Sequence, residues 1–415
     1  MADDNKYIPV LRFPEFQDDG EWKICKLSDI AKRKVAKNRL GLKLPIYTNS
    51  ATGGVVNQAD YFDREIVTQD NLVNYGIIEQ NDFVYNPRVS AAAPVGPISR
   101  NKLEKGIMSP LYLIFGFNKG DINFYECYFK TAHWHNYLKA IANYGARFDR
   151  INIATDDFMD MPMPYPNLIE QKKIADCLFS LDSYIDATKR KLEQLKVHKK
   201  GLMQRLFPAK GKTTPELRFP DFQNDGEWRT MLLGEITSVV NRRNKSNRSL
   251  PIYSINNTDG FVPQSQQFIG MDSEARGYDI SAYKIIGKHT FAYNPARINV
   301  GSIGYSGELK DILISSLYVC FKTADDVDDN FLMCFFNSYI FNQAVESSVE
   351  GGIRSYLFYE NFSRISIAIP SLYEQKRIAL CITSIEDMIK NANEQINLLE
   401  KHKKGLLQQL FPTIK

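Results

Sequence analysis

From Ile174 onward, apolar or tolerated residues recur in alternating steps of four and three: Ile174, Leu178, Leu181, Ile185, Thr188, Leu192, Leu195, Lys199, Leu202 and Leu206. The same stepping returns at Ile378, Ile382, Ile385, Ile389, Ala392, Ile396, Leu399, Lys403, Leu406 and Leu410. Sustained heptad spacing flanked by charged residues is the seam of a coiled coil, so the pattern predicts long helices over 168–207 and 372–411. At 1.5 Å per residue each would span roughly 50–60 Å, enough for a rigid spacer. The two seams share a register down to the lysine. That makes the helices each other's antiparallel partners; if each merely covered its own neighbouring domain, the common register would have no reason.

Ahead of each helix the pattern changes to short β-like runs separated by Gly, Pro and Asn, at 77–85, 95–99 and 111–117, and again at 283–293, 300–305 and 317–321. Helical spacing follows at 124–144 and 330–346, and proline-bearing strands at 161–166 and 365–370 lead into the long helices. A short amphipathic segment, 27–35, precedes the first set.

The two halves are an internal repeat. Leu11-Arg-Phe-Pro-Glu-Phe-Gln-Asp-Asp-Gly-Glu-Trp22 returns as Leu217-Arg-Phe-Pro-Asp-Phe-Gln-Asn-Asp-Gly-Glu-Trp228, an offset of 206 between Leu11 and Leu217. Downstream, Tyr85-Asn-Pro87 matches Tyr293-Asn-Pro295, and Glu170-Gln-Lys172 matches Glu374-Gln-Lys376. The predicted architecture is α/β in the α+β sense, pseudo-two-fold symmetric. Globular domains at 1–167 and 217–371 are separated by helices at 168–207 and 372–415 packed as an antiparallel coiled coil, with a breaker-rich linker at 208–216.

Composition narrows the class. The 415 residues are 44% apolar with 25 Phe and 22 Tyr, which suffices for real cores. No apolar run is long enough to span a membrane and the first residues lack a secretory pattern, so a cytoplasmic protein is expected. Six scattered cysteines (Cys25, Cys127, Cys177, Cys320, Cys334, Cys381) have no zinc-like spacing and read as reduced and packed. A net charge of +4 means that any nucleic-acid site is local.

Catalytic patterns are weak. Pro14-Glu15 with Glu21-Trp-Lys23 resembles a fragment of a metal-dependent nuclease signature, but Arg229 replaces the lysine in the second half. Tyr85-Asn-Pro87 and Tyr293-Asn-Pro295 resemble part of an adenine methyltransferase motif yet suit turns at strand ends better. Gly301-Ser-Ile-Gly304 is too slight for a cofactor loop, and His133-x-His135 has no repeat counterpart or companion ligand, so neither a catalytic nor a metal site is expected.

Basic loops carry more. Lys34, Lys37, Asn38, Arg39, Arg88 and Arg147 in the first half, and Arg242, Arg243, Lys245, Arg297 and Arg354 in the second, are residue types suited to phosphates and base edges. The scaffold motifs repeat closely while 56–74 and 262–278 have drifted apart, as expected of two related binders that read different half-sites on one duplex, about one helical turn or more apart.

The Glu170-Gln-Lys-Lys-Ile-Ala175 and Glu374-Gln-Lys-Arg-Ile-Ala379 helix starts, the endings Lys199 to Pro208 and Lys403 to Pro412, and the Leu-Arg-Phe-Pro-x-Phe opening resemble the specificity subunit of Type I restriction-modification systems. That resemblance covers essentially the whole chain. It implies a non-catalytic subunit with two target recognition domains that bind double-stranded DNA at a bipartite target. It further implies two modification subunits that use S-adenosylmethionine to methylate adenine at N6, and restriction subunits that use ATP and Mg; the chain itself would hold no cofactor. Competing readings are an autonomous nuclease or methyltransferase, and a coiled-coil adaptor that binds protein alone.

Overall fold

The computed structural model describes residues 7–61, 69–144, 149–268, 270–348 and 356–414. Two compact units emerge: residues 1–188 with 395–415, and residues 189–394. Each combines one globule, the start of its own long helix and the end of the other.

In the first unit, strands Ala31–Arg33, Leu113–Phe117, Phe83–Tyr85 and Ile98–Arg100 form, in that order, an antiparallel sheet. A second sheet orders Gly54–Asn57, Ile46–Ser50, Gly106–Met108 and Gly76–Ile78, its middle pair parallel. Alternation explains why the first sheet is buried on both faces. Phe83, Tyr85 and Phe115 face the main core with Phe124, Tyr128 and Phe158, while Val84 and Ile114 face the second sheet and meet Tyr47, Ile78 and Met108. A ribbon pairing Lys23–Lys26 with Pro162–Tyr165 hands the chain to the helix Leu168–Leu206.

The second unit repeats this plan. Its first sheet runs Thr237–Val239, Val319–Thr323, Phe291–Tyr293, Ile303–Tyr305, and its second runs Gly260–Pro263, Ile252–Asn256, Ile312–Ile314, Lys284–Ile286, again with the middle pair parallel. Phe291, Tyr293 and Phe321 face the main core; Ala292 and Cys320 face the second sheet. The ribbon pairs Arg229–Leu232 with Ser366–Ile369 and leads to the helix Leu372–Gln409.

Several expected elements divide. The runs 77–85 and 283–293 each become two strands in different sheets, because Asn81 (φ 74°) and His289 (φ 53°) turn the chain through the left-handed region. The expected helix at 124–144 is instead Ile122–Phe129 and His135–Ile141, and that at 330–346 is Asp329–Phe336 and Tyr339–Ser348. Asp121 and Asp328 cap the first member of each pair by accepting from Phe124 N and Phe331 N at 2.9 Å. The segment 27–35 keeps one helical turn, Leu27–Ile30, and then enters the sheet.

The long helices pack on each other through the heptad positions. Leu178, Ile185, Leu192, Ile382, Ile385 and Ile396 are buried, and Leu181, Leu195, Ile389 and Leu399 are half-buried. The seam lysines have partners: Lys403 is paired with Asp182 in the first unit, and Lys199 Nζ lies 2.6 Å from Glu386 in the second. Helix ends close the cores. Phe411 sets its ring edge against Trp22 (6.3 Å), as Phe207 does against Trp228 (6.5 Å). Leu11 N donates to Gln409 O at 2.9 Å and Leu217 N to Arg205 O at 2.8 Å.

The repeated motifs meet at the start of each helix. Arg12 forks onto Glu170, with Nε to Oε1 at 2.7 Å and Nη2 to Oε2 at 2.9 Å, while Trp22 Nε1 donates to the same carboxylate at 3.1 Å. Arg218 grips Glu374 identically, at 2.8 Å for both bonds. Gln171 Oε1 accepts from Asp121 N at 2.7 Å, and Gln375 Oε1 from Asp328 N at 2.8 Å. The Glu-Gln pair thus fastens the helix to the opening turn and to the core.

Candidate DNA interface

A basic loop connects the two sheets of each globule, and a buried asparagine shapes it. In the first unit Asn38 N donates to Tyr75 O at 2.9 Å, Nδ2 to Leu42 O at 3.0 Å, and Oδ1 accepts from Leu42 N at 2.9 Å. Asn38 is only 1% exposed, so its amide is consumed in holding the loop and cannot also read a base, which corrects its assignment as a contact. Asn244 does the same in the second unit, with Nδ2 to Arg248 O and Arg248 N to Oδ1 both at 2.9 Å. The tight reversal needs positive φ, supplied by Gly41 (62°) and Asn247 (46°).

The stapled loop turns its cations outward. Lys37 and Arg39 are exposed on the first; Arg242, Arg243 and Lys245 are exposed on the second. Lys34 lies at the loop's root, where its Nζ is 3.7 Å from Asp82. Burial raises the Asp82 carboxyl above its usual range. Lys34 is therefore first a partner to a buried acid and only then a cation open to solvent.

The other candidates fall elsewhere. Arg88 is exposed beside Asp149 (3.4 Å), just after Asn86, whose Nδ2 donates to Asn49 O at 2.9 Å. The basic loop enters the strand Ile46–Ser50 at its first residue, whereas Arg88 lies near its far end, about 10 Å along at roughly 3.3 Å per residue. In the second unit Ala296 takes the place of Arg88, and Arg297 stands exposed one residue further on, before the turn Ile298–Val300. Each unit thus carries one further exposed arginine outside its basic loop. Arg147 and Arg354 lie outside the described residues.

Among the described residues, the weak catalytic patterns resolve into structural contacts. Glu15 of the nuclease-like fragment pairs with Lys173 at 2.9 Å, which draws its pKa down after its own backbone hydrogen bond does. Asn86 and Asn294 accept from Arg88 N and Ala296 N at 3.0 Å, so both Asn-Pro motifs are turns. Among the described residues no group of three or more His, Cys, Asp or Glu is placed to hold a metal. Burial pushes the Cys25 thiol up to about 11 and those of Cys127, Cys320 and Cys334 up to about 12. Such thiols are poor nucleophiles.

The sequence pattern of the Type I restriction modification DNA specificity domain matches this chain twice, over residues 19–197 and 226–401. The chain belongs to that family. Each match covers one globule and most of the long helix that follows it.

Three specificity subunits of type I restriction enzymes from Methanocaldococcus jannaschii are similar along the chain. MjaX is 24% identical over 419 residues (94% of this chain and 93% of its own length). MjaIX is 23% identical over 344 residues (78% and 76%), and MjaVIII 24% over 277 residues (61% and 62%). Two solved structures share the fold. The HsdS subunit from Thermoanaerobacter tengcongensis has a TM-score of 0.53 at 15% identity, covering 94% of this chain and 96% of its own. The S subunit of a Type-I restriction-modification system from M. genitalium has a TM-score of 0.56 at 13% identity, covering 98% and 100%. A chain described in connection with complex assembly of the type I R-M system also aligns, at TM-score 0.53 and 15% identity, over 94% and 97%.

Within this family the chain has a DNA sequence-specificity role, and two domains are consistent with a bipartite target. Among the described residues, no helix is long and apolar enough to cross a membrane. What sequence reasoning missed was the staple Asn244, although its spacing to Asn38 equals the repeat offset. It also missed the Arg12–Glu170 and Arg218–Glu374 contacts, whose residues stood in view as repeated motifs.

Proposed function

We propose that this chain is the non-catalytic reading subunit of a cytoplasmic Type I restriction-modification complex. Each unit contacts one half of a split duplex target. The paired helices set the gap between the halves and dock two modification subunits, which supply S-adenosylmethionine chemistry at adenine N6. Restriction subunits that use ATP and Mg join the same assembly. The observation that carries this reading is the recurrence, in both family-matched units, of an exposed basic loop held by a buried asparagine.

Cations on rigid loops suit phosphate oxygens, and such contacts fix register before any base is read. Lys37 and Arg39 serve this purpose in the first unit, and Arg242, Arg243 and Lys245 in the second. Methylating a base inside a duplex requires extruding it, which costs a few kcal/mol. Contacts on both flanks hold the duplex while the partner does so.

Co-expression with the cognate modification subunit, followed by genome-wide mapping of N6-methyladenine, tests the reading. A split motif with a fixed gap is expected, disappearing when this chain is omitted. A folded complex that gives no chain-dependent methylation would return the molecule to the class of protein-binding adaptors.

A further inference from the structure

The second unit carries an arginine that neither the repeat nor the family match singles out. The guanidinium carbon of Arg276 lies 4.2 Å from the ring centre of Phe268 and 5.2 Å from that of Tyr278. Both rings are well exposed, at 40% and 60%. These two exposed rings hold a cation.

The turn that presents Arg276 is itself fixed. Gln264 is buried, and its Oε1 accepts from Ser273 N at 2.9 Å and from Ser273 Oγ at 2.7 Å. Tyr283 OH adds a bond to Ser273 Oγ at 2.9 Å. Along one edge Arg276 bonds within its own turn, Nε to Asp272 O at 3.2 Å and Nη2 to Ser273 Oγ at 3.4 Å. A guanidinium has five donors, so the Nη end keeps three for another acceptor. Unlike Arg88 and Arg248, which face Asp149 and Asp311, Arg276 has no carboxylate partner among the described residues.

This turn adjoins the basic loop. Asn244 N donates to Tyr283 O at 2.8 Å, its Nδ2 to Ile280 O at 3.4 Å, and Ser249 Oγ donates to Glu274 Oε2 at 3.1 Å. Arg276 therefore stands on the same built surface as Arg242, Arg243 and Lys245. It also falls in 262–278, a segment where the two halves have diverged. Much of the corresponding stretch in the first unit lies outside the described residues.

A guanidinium held against two rings and bonded along one edge has much of its rotamer entropy already spent. What remains free is a flat end with paired donors, the shape that matches O6 and N7 of guanine in the major groove. We propose that Arg276, held against Phe268 and Tyr278, reads a guanine in the half-site bound by the second unit. The assignment rests on the DNA-reading function proposed above.

The test uses the full complex with its modification subunit, comparing wild type with Arg276→Ala, Arg276→Lys and Phe268→Ala/Tyr278→Ala by methylome mapping and by binding at several salt concentrations. Arg276→Ala should lose one fixed G·C pair from one half-site, with discrimination there falling about 5- to 150-fold and the other half intact. Arg276→Lys keeps the charge without the fork and should relax the same position; the double ring variant should relax it in part. Unchanged melting temperatures would confirm that these exposed changes leave the fold alone. An unaltered motif in Arg276→Ala overturns the assignment. So does a lysine variant that keeps the motif while binding weakens equally on every sequence, which would make Arg276 a phosphate contact. If wild type itself yields no split motif, the underlying reading fails, which is a different result from a wild-type motif that Arg276 does not affect.

Discussion

The arginine of the Leu-Arg-Phe-Pro opening and the glutamate of the Glu-Gln-Lys helix start lie 158 residues apart in the first unit and 156 in the second, yet form one contact. Their side chains are 6% and 1% exposed at Arg12 and Glu170. Glu170 stands in the first helical turn, where the helix dipole favours an anion, and its carboxylate raises the Arg12 pKa chiefly through their hydrogen bond. Removing one member leaves the other buried and uncompensated. Arg12→Ala should therefore cost about 3–5 kcal/mol in urea unfolding, and Arg218→Ala a similar amount. Replacing Arg12 and Glu170 together by apolar residues of like volume should recover most of it; a loss under 1 kcal/mol for the single change would mean that water reaches the pair. The sequence displayed both motifs but not their partnership, because no local rule links residues so far apart. Asn38 shows the reverse case: its residue type suggested a base contact, and only its burial revealed a staple.

At the level of elements, the long helices were legible and the pairing of the strands was not. The heptad seam is a local periodic signal, and the positions it marks are the buried and half-buried ones. The strands are two to five residues long and pair across distance, as Ala31–Arg33 does with Leu113–Phe117 and Ile46–Ser50 does in parallel with Gly106–Met108. A parallel pair needs a long crossover, so nothing in either short strand names its neighbour. The seam lysines became intelligible only with their partners. Lys199 and Lys403 each meet an acid on the opposite helix, and such polar seam positions fix register. Reversing one charge, Glu386→Lys, should destabilise by about 1 kcal/mol, since the pair is partly solvated. Adding Lys199→Glu should restore stability in the same denaturation assay; no recovery would show that the seam is indifferent to this pair.

Across the whole molecule, the compact units are not the two sequence halves. Each globule is closed by the Leu-Phe ending of the other half's helix: Leu410 and Phe411 in the first unit, Leu206 and Phe207 in the second. Aromatic residues at equivalent positions make these closures in both copies. Phe124 and Tyr128 meet Phe411 just as Phe331 and Phe335 meet Phe207. An equivalent bond stands at the joint of ribbon and globule in both units, Leu27 N to Met161 O at 2.9 Å and Leu233 N to Ile365 O at 2.8 Å. Replacing residues 27–161 with a second copy of 233–365 should therefore give a folded chain. In the proposed function its complex would methylate a target whose two halves read alike. A folded hybrid that kept two unlike half-sites would place the reading surface outside the exchanged segment.

The shared closure also bears on how such a chain changes over generations. The motifs that bracket each globule are near-identical, so an exchange of globules between copies would join at ends that already match. Such a recombinant would inherit the closures described above together with a different globule. New specificity can then arrive in one step, without the sequence of compensating substitutions that an irregular domain boundary would demand.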